Sequence, residues 1–224
     1  MVSKTIPLLL ASSLFACMQG RAQQLSVGAR AGATFSSWNP IGDDAEGLED
    51  FYSNVVGFQA GIPVELTLPG PVALEADLTY MQRGYQNDLS DLFGDDAAQT
   101  LRIDYAELTA VAKLGTDTES FNAAFVVGPS VGYALRGRSR GEGAVQGDER
   151  IDWDESDLRR TDLGLVLGVQ SSASLGTGKL VVDARYRFGL TERFDVDPAD
   201  VGGVDLNARS RTLSFAFGYL YPLN

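Results

Sequence analysis

Thirty-one residues, Thr161 to Thr191 (TDLGLVLGVQSSASLGTGKLVVDARYRFGLT), constrain the fold more than any other stretch. Leu163, Leu165, Leu167, Val169, Ala173 and Leu175 recur at period two, as do Leu180, Val182, Ala184, Tyr186, Phe188 and Leu190. Gly176-Thr177-Gly178 lies between the two runs and supplies the backbone freedom of a tight turn. The stretch therefore reads as one β-hairpin. The alternate positions of its second arm are Val181, Asp183, Arg185, Arg187 and Gly189, so one face is apolar and the other charged. Each arm is more than twice the usual strand of roughly five or six residues. Long strands with one apolar and one charged face suit a membrane-spanning barrel, which has lipid outside and a polar lumen inside. A soluble barrel has the opposite arrangement.

The chain has 224 residues, enough for one all-β domain. Its ordinary average hydrophobicity, 44%, does not argue against a membrane barrel, because only alternate residues would face lipid. Lys4, the apolar run Ile6 to Ala16, and Gly20-Arg21-Ala22 form a secretory leader. Residues 1–22 are thus expected to be a signal peptide, cut before Gln23, and 23–224 the barrel domain. No run approaches the ~20 apolar residues of a membrane helix. Cys17, the only cysteine, follows a weak lipoprotein-like Leu14-Phe15-Ala16 and is read as an ordinary leader residue. The mature chain then has neither disulfide nor thiol chemistry. It carries 16 basic against 30 acidic residues, a balance that disfavours nucleic acid.

Taken in order, eight strands emerge. The first, about Gln24 to Ser36, sets Leu25 to Phe35 on one face and Arg30 opposite. The second, about Val55 to Leu68, opposes Val56, Phe58 and Ile62 to Gln59 and Glu65, with Pro63 expected at a bulge or irregularity. The third, about Val72 to Tyr85, puts Glu75, Asp77 and Arg83 inward. The fourth, about Leu101 to Gly115, does the same with Glu107 and Lys113. The fifth, about Phe121 to Arg136, turns Phe125, Val127, Pro129, Val131, Tyr133 and Leu135 outward. The hairpin supplies the sixth and seventh. The eighth, about Arg211 to Tyr221, shows Leu213, Phe215, Phe217, Tyr219 and Tyr221. Connections alternate long and short, as an up-and-down barrel requires.

The outward face of all eight strands is read as free of charge, which lipid exposure demands, since a mid-bilayer Arg or Lys costs ~2–4 kcal/mol. Eight strands leave an interior just wide enough for side chains. Arg30, Glu65, Glu75, Asp77, Glu107, Lys113, Asp183, Arg185 and Arg187 are expected to pair there as a polar plug, in preference to a narrow ion path. Phe35, Trp38, Tyr80, Tyr85, Phe121, Tyr133, Phe188 and Tyr221 are expected at the two membrane interfaces.

Catalytic chemistry finds little support. Gly128-Pro129-Ser130-Val131-Gly132 fits a nucleophile elbow, but it lies within a strand and the chain has no histidine to act as base. No catalytic, cofactor-binding or metal-binding residue is assigned. Asp152 to Asp157 and Asp195 to Asp200 cluster oxygen ligands without the EF-hand spacing, and are read as solvated acidic loops. The four long loops (37–54, 87–99, 137–160 and 192–208) carry a net charge of −15. Divalent cations bridging this surface to lipopolysaccharide are one expectation, and a protein partner on the same loops another.

Several motifs in order resemble the PorT-like outer-membrane β-barrel family of Bacteroidetes-type bacteria. They are Val27 to Ser36, Leu74 to Gly84, Tyr105-Ala106-Glu107-Leu108 with Lys113, Gly128 to Tyr133, Asp162 to Gly168, Ala184 to Leu190 and Phe217-Gly218-Tyr219. Thr109 stands where the family usually has Pro, and Tyr221-Pro222-Leu223-Asn224 extends past the usual terminal aromatic. The resemblance implies an outer-membrane location and a barrel without catalysis. The expected protein is therefore an all-β, eight-stranded antiparallel up-and-down transmembrane β-barrel, non-enzymatic, with a structural or interaction role. The alternatives are a narrow channel for small solutes or ions and a secreted or lipid-anchored lipocalin-type binding barrel.

Overall fold

A computed structural model of the protein describes residues 24–41, 52–88, 97–116, 121–143, 147–153, 158–192 and 207–223. The expected leader and Cys17 lie outside them, as do residues 154–157 and 195–200 of the two acidic clusters. The strands are β1 (Gln24–Ile41), β2 (Tyr52–Ser53), β3 (Val55–Thr67), β4 (Val72–Asp88), β5 (Ala98–Gly115), β6 (Phe121–Glu142), β7 (Gly147–Arg150), β8 (Thr161–Leu175), β9 (Gly178–Gly189) and β10 (Asn207–Leu223). Eight of them pair antiparallel in the closed order β1-β3-β4-β5-β6-β8-β9-β10, and β10 returns to β1. Closure leaves no sheet edge to face lipid. The short β2 and β7 extend the wall at one end by pairing with β4 and β6.

The hairpin within residues 161–191 is β8–β9, joined at Gly176-Thr177 with Gly176 at φ 63°. Its polarity is as the period implied. Val182 and Phe188 are 46% and 40% exposed, while Asp183, Arg185 and Arg187 are 1%, 6% and 3% exposed. The same holds round the ring, up to Phe125 at 73% exposure. A lipocalin-type barrel would have these faces exchanged, so that alternative is overturned. On β10 the outward apolar run takes ten steps from Leu213 to Leu223. At about 3.3 Å per residue and a tilt of about 40° these span roughly 25 Å, the height of an outer-membrane apolar band.

Several boundaries differ from the sequence reading, all at the end carrying the long connections. β1 runs on to Ile41, β4 to Asp88 and β6 to Glu142, and β5 and β10 begin at Ala98 and Asn207. Part of the third long loop is thus wall: β6 and β7 pair from Arg138↔Arg150 to Gly141↔Gly147. Backbone pairing continues past the membrane because a ladder needs hydrogen bonds, not lipid. Pro63 makes no bulge. It stays in register with Asp77, and the β1–β3 ladder lapses beside it between Val27↔Val64 and Arg30↔Gly61 without slipping. A true bulge lies on β6, where Asp104 pairs with Arg136 and Tyr105 with Ala134, leaving Leu135 as the extra residue. The bulge turns Arg136 outward, against the inward position that simple alternation gave it.

Candidate functional site

Among the described residues the lumen holds five buried cations (Arg30, Arg83, Lys113, Arg185, Arg187) and six buried carboxylates (Glu65, Glu75, Asp77, Glu107, Asp162, Asp183). Near balance is what burial requires, since an unpaired charge out of water is costly. All nine residues expected to form a plug are among them.

The lower tier lies toward the short turns. Lys113 on β5 donates to Glu65 on β3 at 2.7 Å, to Gln170 on β8 at 2.7 Å, and also to Glu75 on β4. Glu75 accepts from Arg185 at 2.8 Å and from Arg30 at 3.3 Å as well, so one carboxylate meets three cations. Arg30 pairs with Asp77 and, at 3.2 Å, with Asp183, which Arg185 also meets at 2.9 Å.

In the upper tier, Arg83 pairs with Glu107 and with Asp162 at 2.8 Å. Arg187 meets the same two carboxylates, each at 3.0 Å. Ser130 and Ser210 accept from Arg187 at 2.9 and 3.0 Å. The guanidinium groups fit because the wall beside them is glycine. A Cβ on Gly164 would sit 2.6 Å from the Arg187 guanidinium carbon, and one on Gly132 2.7 Å from Arg83. Ser130, the centre of the elbow-like motif, is therefore a hydrogen-bond partner of an arginine. Asp162 is an addition to the expected lumen set. Its parity with Gly164 and Val166 points inward, but its position at the start of a strand conceals the signal.

Above the ionic tiers the filling changes character. Trp38, Leu101, Ile103, Tyr105, Ala134 and Ala208 form a buried apolar cluster, with Tyr85, Ile151, Trp153 and Leu158 packed against it. Trp38 and Tyr85 pack with ring centroids 4.4 Å apart and ring planes tilted by 48°. These two rings, expected at the membrane interface, instead point inward, on the same parity as Arg30 and Arg83. Phe35, Tyr80, Tyr133, Phe188 and Tyr221 do lie on the outward face, and the Phe121 side chain is outside the described residues. The Arg83 guanidinium lies 4.1 Å from the Tyr105 ring centroid, joining the tiers to the cluster. At the opposite mouth a cavity of about 270 Å³ is lined by Glu65, Lys113, Gln170 and Lys179, among others.

The outer wall at this upper end is also charged, contrary to an outward face free of charge throughout. Arg102, Asp104, Arg209 and Arg211 take outward positions in register, joined by Arg136, Arg138 and Arg140 through the bulge. All lie above the apolar band. Among the described residues no group of three or more His, Cys, Asp or Glu side chains could hold a metal ion.

A closed ring with an apolar exterior band and a charge-filled lumen defines an outer-membrane β-barrel protein, and its location is the cell outer membrane. Residues 19–195 match the outer membrane protein beta-barrel domain family, and the chain belongs to that family. No curated protein matches it. Among solved structures it is similar to a major outer membrane protein from Thermus thermophilus, at 15% identity and a TM-score of 0.55, over 91% of this chain and 100% of that one. Pseudomonas aeruginosa OprG matches at 12% identity and TM-score 0.47, covering 92% and 99% of the two chains. Neisserial surface protein A matches at 17% identity and TM-score 0.44, covering 88% and 98%.

Proposed function

We propose that the barrel is a non-enzymatic structural or interaction protein, acting through the long loops at its outer end. The observation that carries this reading is the filled lumen. Its charges are spent on one another across the barrel, and an apolar cluster stands above them. A groove for substrate and a free nucleophile–base pair are what a barrel enzyme needs, and a chain without histidine lacks the usual base. On this reading the partners are outer-membrane lipid and lipopolysaccharide, bridged to the acidic loops by divalent cations, together with a protein bound by the same loops. Calorimetry with Ca²⁺ should register heat and a rise in thermal stability; neither appearing would reject the bridging. Kinship with the PorT-like proteins is supported by the ordered motifs from Val27 to Tyr219.

A narrow channel is the second reading, favoured by the polar cavity at the inner mouth. Planar-bilayer recording separates the two. The filled lumen should give no stable conductance, and reproducible unitary currents would replace the structural reading with transport.

A further inference from the structure

Five arginines gather on one stretch of outer wall, although acidic residues outnumber basic ones in the chain by 30 to 18. Arg136, Arg138 and Arg140 follow one another along β6. Arg102 is paired across to Arg138 from β5, and Arg150 is paired to Arg138 from β7. Residues opposite one another in a ladder face the same side, so all five point away from the lumen. Among the described side chains in these ladder rows, the carboxylates are Asp104, Asp148 and Glu142. Asp104 is held by Arg136 at 2.5 Å and by Gln82 at 3.1 Å. Asp148 lies 3.4 Å from Arg138 and 3.7 Å from Arg140. Arg102 and Arg150 make no ion pair among the described residues. Among the described residues the face thus keeps surplus positive charge and unspent guanidinium donors. Two cavities of about 330 and 230 Å³ open on it, and both are lined by Arg102 and Arg138.

The cluster begins at the membrane's edge. Arg136 directly follows Leu135, which is 48% exposed on the lipid face. Leu135 and Tyr80 in turn line an apolar groove of about 750 Å³ on the outside of the barrel. Its floor is one hydrogen-bonded row of small residues interrupted by a ring: Ala31 opposite Ala60, Ala60 opposite Tyr80, and Tyr80 opposite Ala106. Ile62 and Leu78 border it. A cationic surface thus stands immediately above a greasy channel of a size that holds small molecules. Phosphoryl groups suit forked guanidinium donors, and an alkyl chain suits the groove.

We infer that this wall is a binding site for a phosphorylated, acylated lipid of the outer leaflet, with its phosphate on Arg102, Arg138 and Arg140 and one acyl chain along the alanine row. The site rests on the outer-membrane placement alone, not on the structural or interaction role proposed above. It differs from cation bridging by the acidic loops because it needs no metal.

The test is native mass spectrometry of the full-length barrel in detergent with EDTA, offered diphosphorylated lipid A, its dephosphorylated form, or phosphatidylcholine. Diphosphorylated lipid A should be retained one-to-one, and the other two lipids lost. The Arg138→Glu/Arg140→Glu pair should weaken retention by about tenfold or more, as loss of charge-assisted phosphate contacts implies. Arg138→Gln/Arg140→Gln serves the same purpose if charge reversal blocks insertion. Ala60→Leu, which fills the groove, should also weaken retention, and Arg211→Glu on β10 should not. Equal retention of the dephosphorylated lipid, an equal loss with Arg211→Glu, or no retention at all overturns the site. Displacement of bound lipid A by millimolar inorganic phosphate would instead mark a free-anion site and overturn the lipid assignment.

Discussion

Below Leu135 the barrel holds its ion pairs within, beside a small cluster of Val111, Val126 and Val166, and is apolar without; above it the outside turns ionic and the inside mainly apolar, with Trp38 and Ile103 inside and Arg102, Arg138 and Arg140 outside. The same strands make both halves. What changes is the solvent. Against lipid the outward face must be hydrocarbon, and the charges have only the lumen to occupy, where they neutralise one another. Against water the outward face can be ionic, and the interior is free to close by the hydrophobic effect. The bulge at Leu135 sits at the change of solvent, where it shifts β6 by one residue and sends Arg136 out. One chain thus carries a membrane barrel and, stacked on it, the apolar core of a water-soluble one.

Substitutions can break this contrast, and the largest effect should come from the lower half. Glu75→Ala leaves Lys113, Arg185 and Arg30 facing one another, and loss of one partner of a buried ionic group typically costs about 3–5 kcal/mol. Denaturant unfolding of the reconstituted barrel should register it. Ile103→Ala in the upper cluster should cost about 2–4 kcal/mol as a core cavity, with membrane insertion preserved. If it instead abolished insertion while Glu75→Ala was silent, the two fillings would have been assigned the wrong weights. Phe217→Arg, outward within the apolar band, should cost about 2–4 kcal/mol, whereas Thr100→Arg on the upper wall should change stability little. Equal penalties for these two would erase the proposed membrane boundary. The smallest effect concerns salt. Raising ionic strength should barely move the unfolding midpoint, because the lumen pairs are buried and poorly screened.

The alternation of side chains is legible wherever a strand is long and one face is uniform. Counting in twos from Val182 leaves Asp183, Arg185 and Arg187 as the alternate, lumen-facing positions, and the structure agrees. Trp38 and Tyr85 depart from expectation because positions near strand ends suggest interfacial rings, although their parity already matches Arg30 and Arg83. Arg136 cannot be placed by parity at all. A bulge is decided by how two neighbouring strands fit, and β5 and β6 differ there by one residue. The β6–β7 extension reads as loop in the sequence because its charges leave no apolar stripe for a period to mark.

From the sequence alone come the eight strands, their inward and outward faces, and the long–short rhythm of connections, because each depends on residues near in the chain. Closure of the ring decides the rest. Lys113 meets Glu65, Glu75 and Gln170, and Arg187 meets Glu107 and Asp162, only because distant strands curve to a common axis. The arginine wall and the alanine row beneath it likewise exist only in register, since no single strand contains either one.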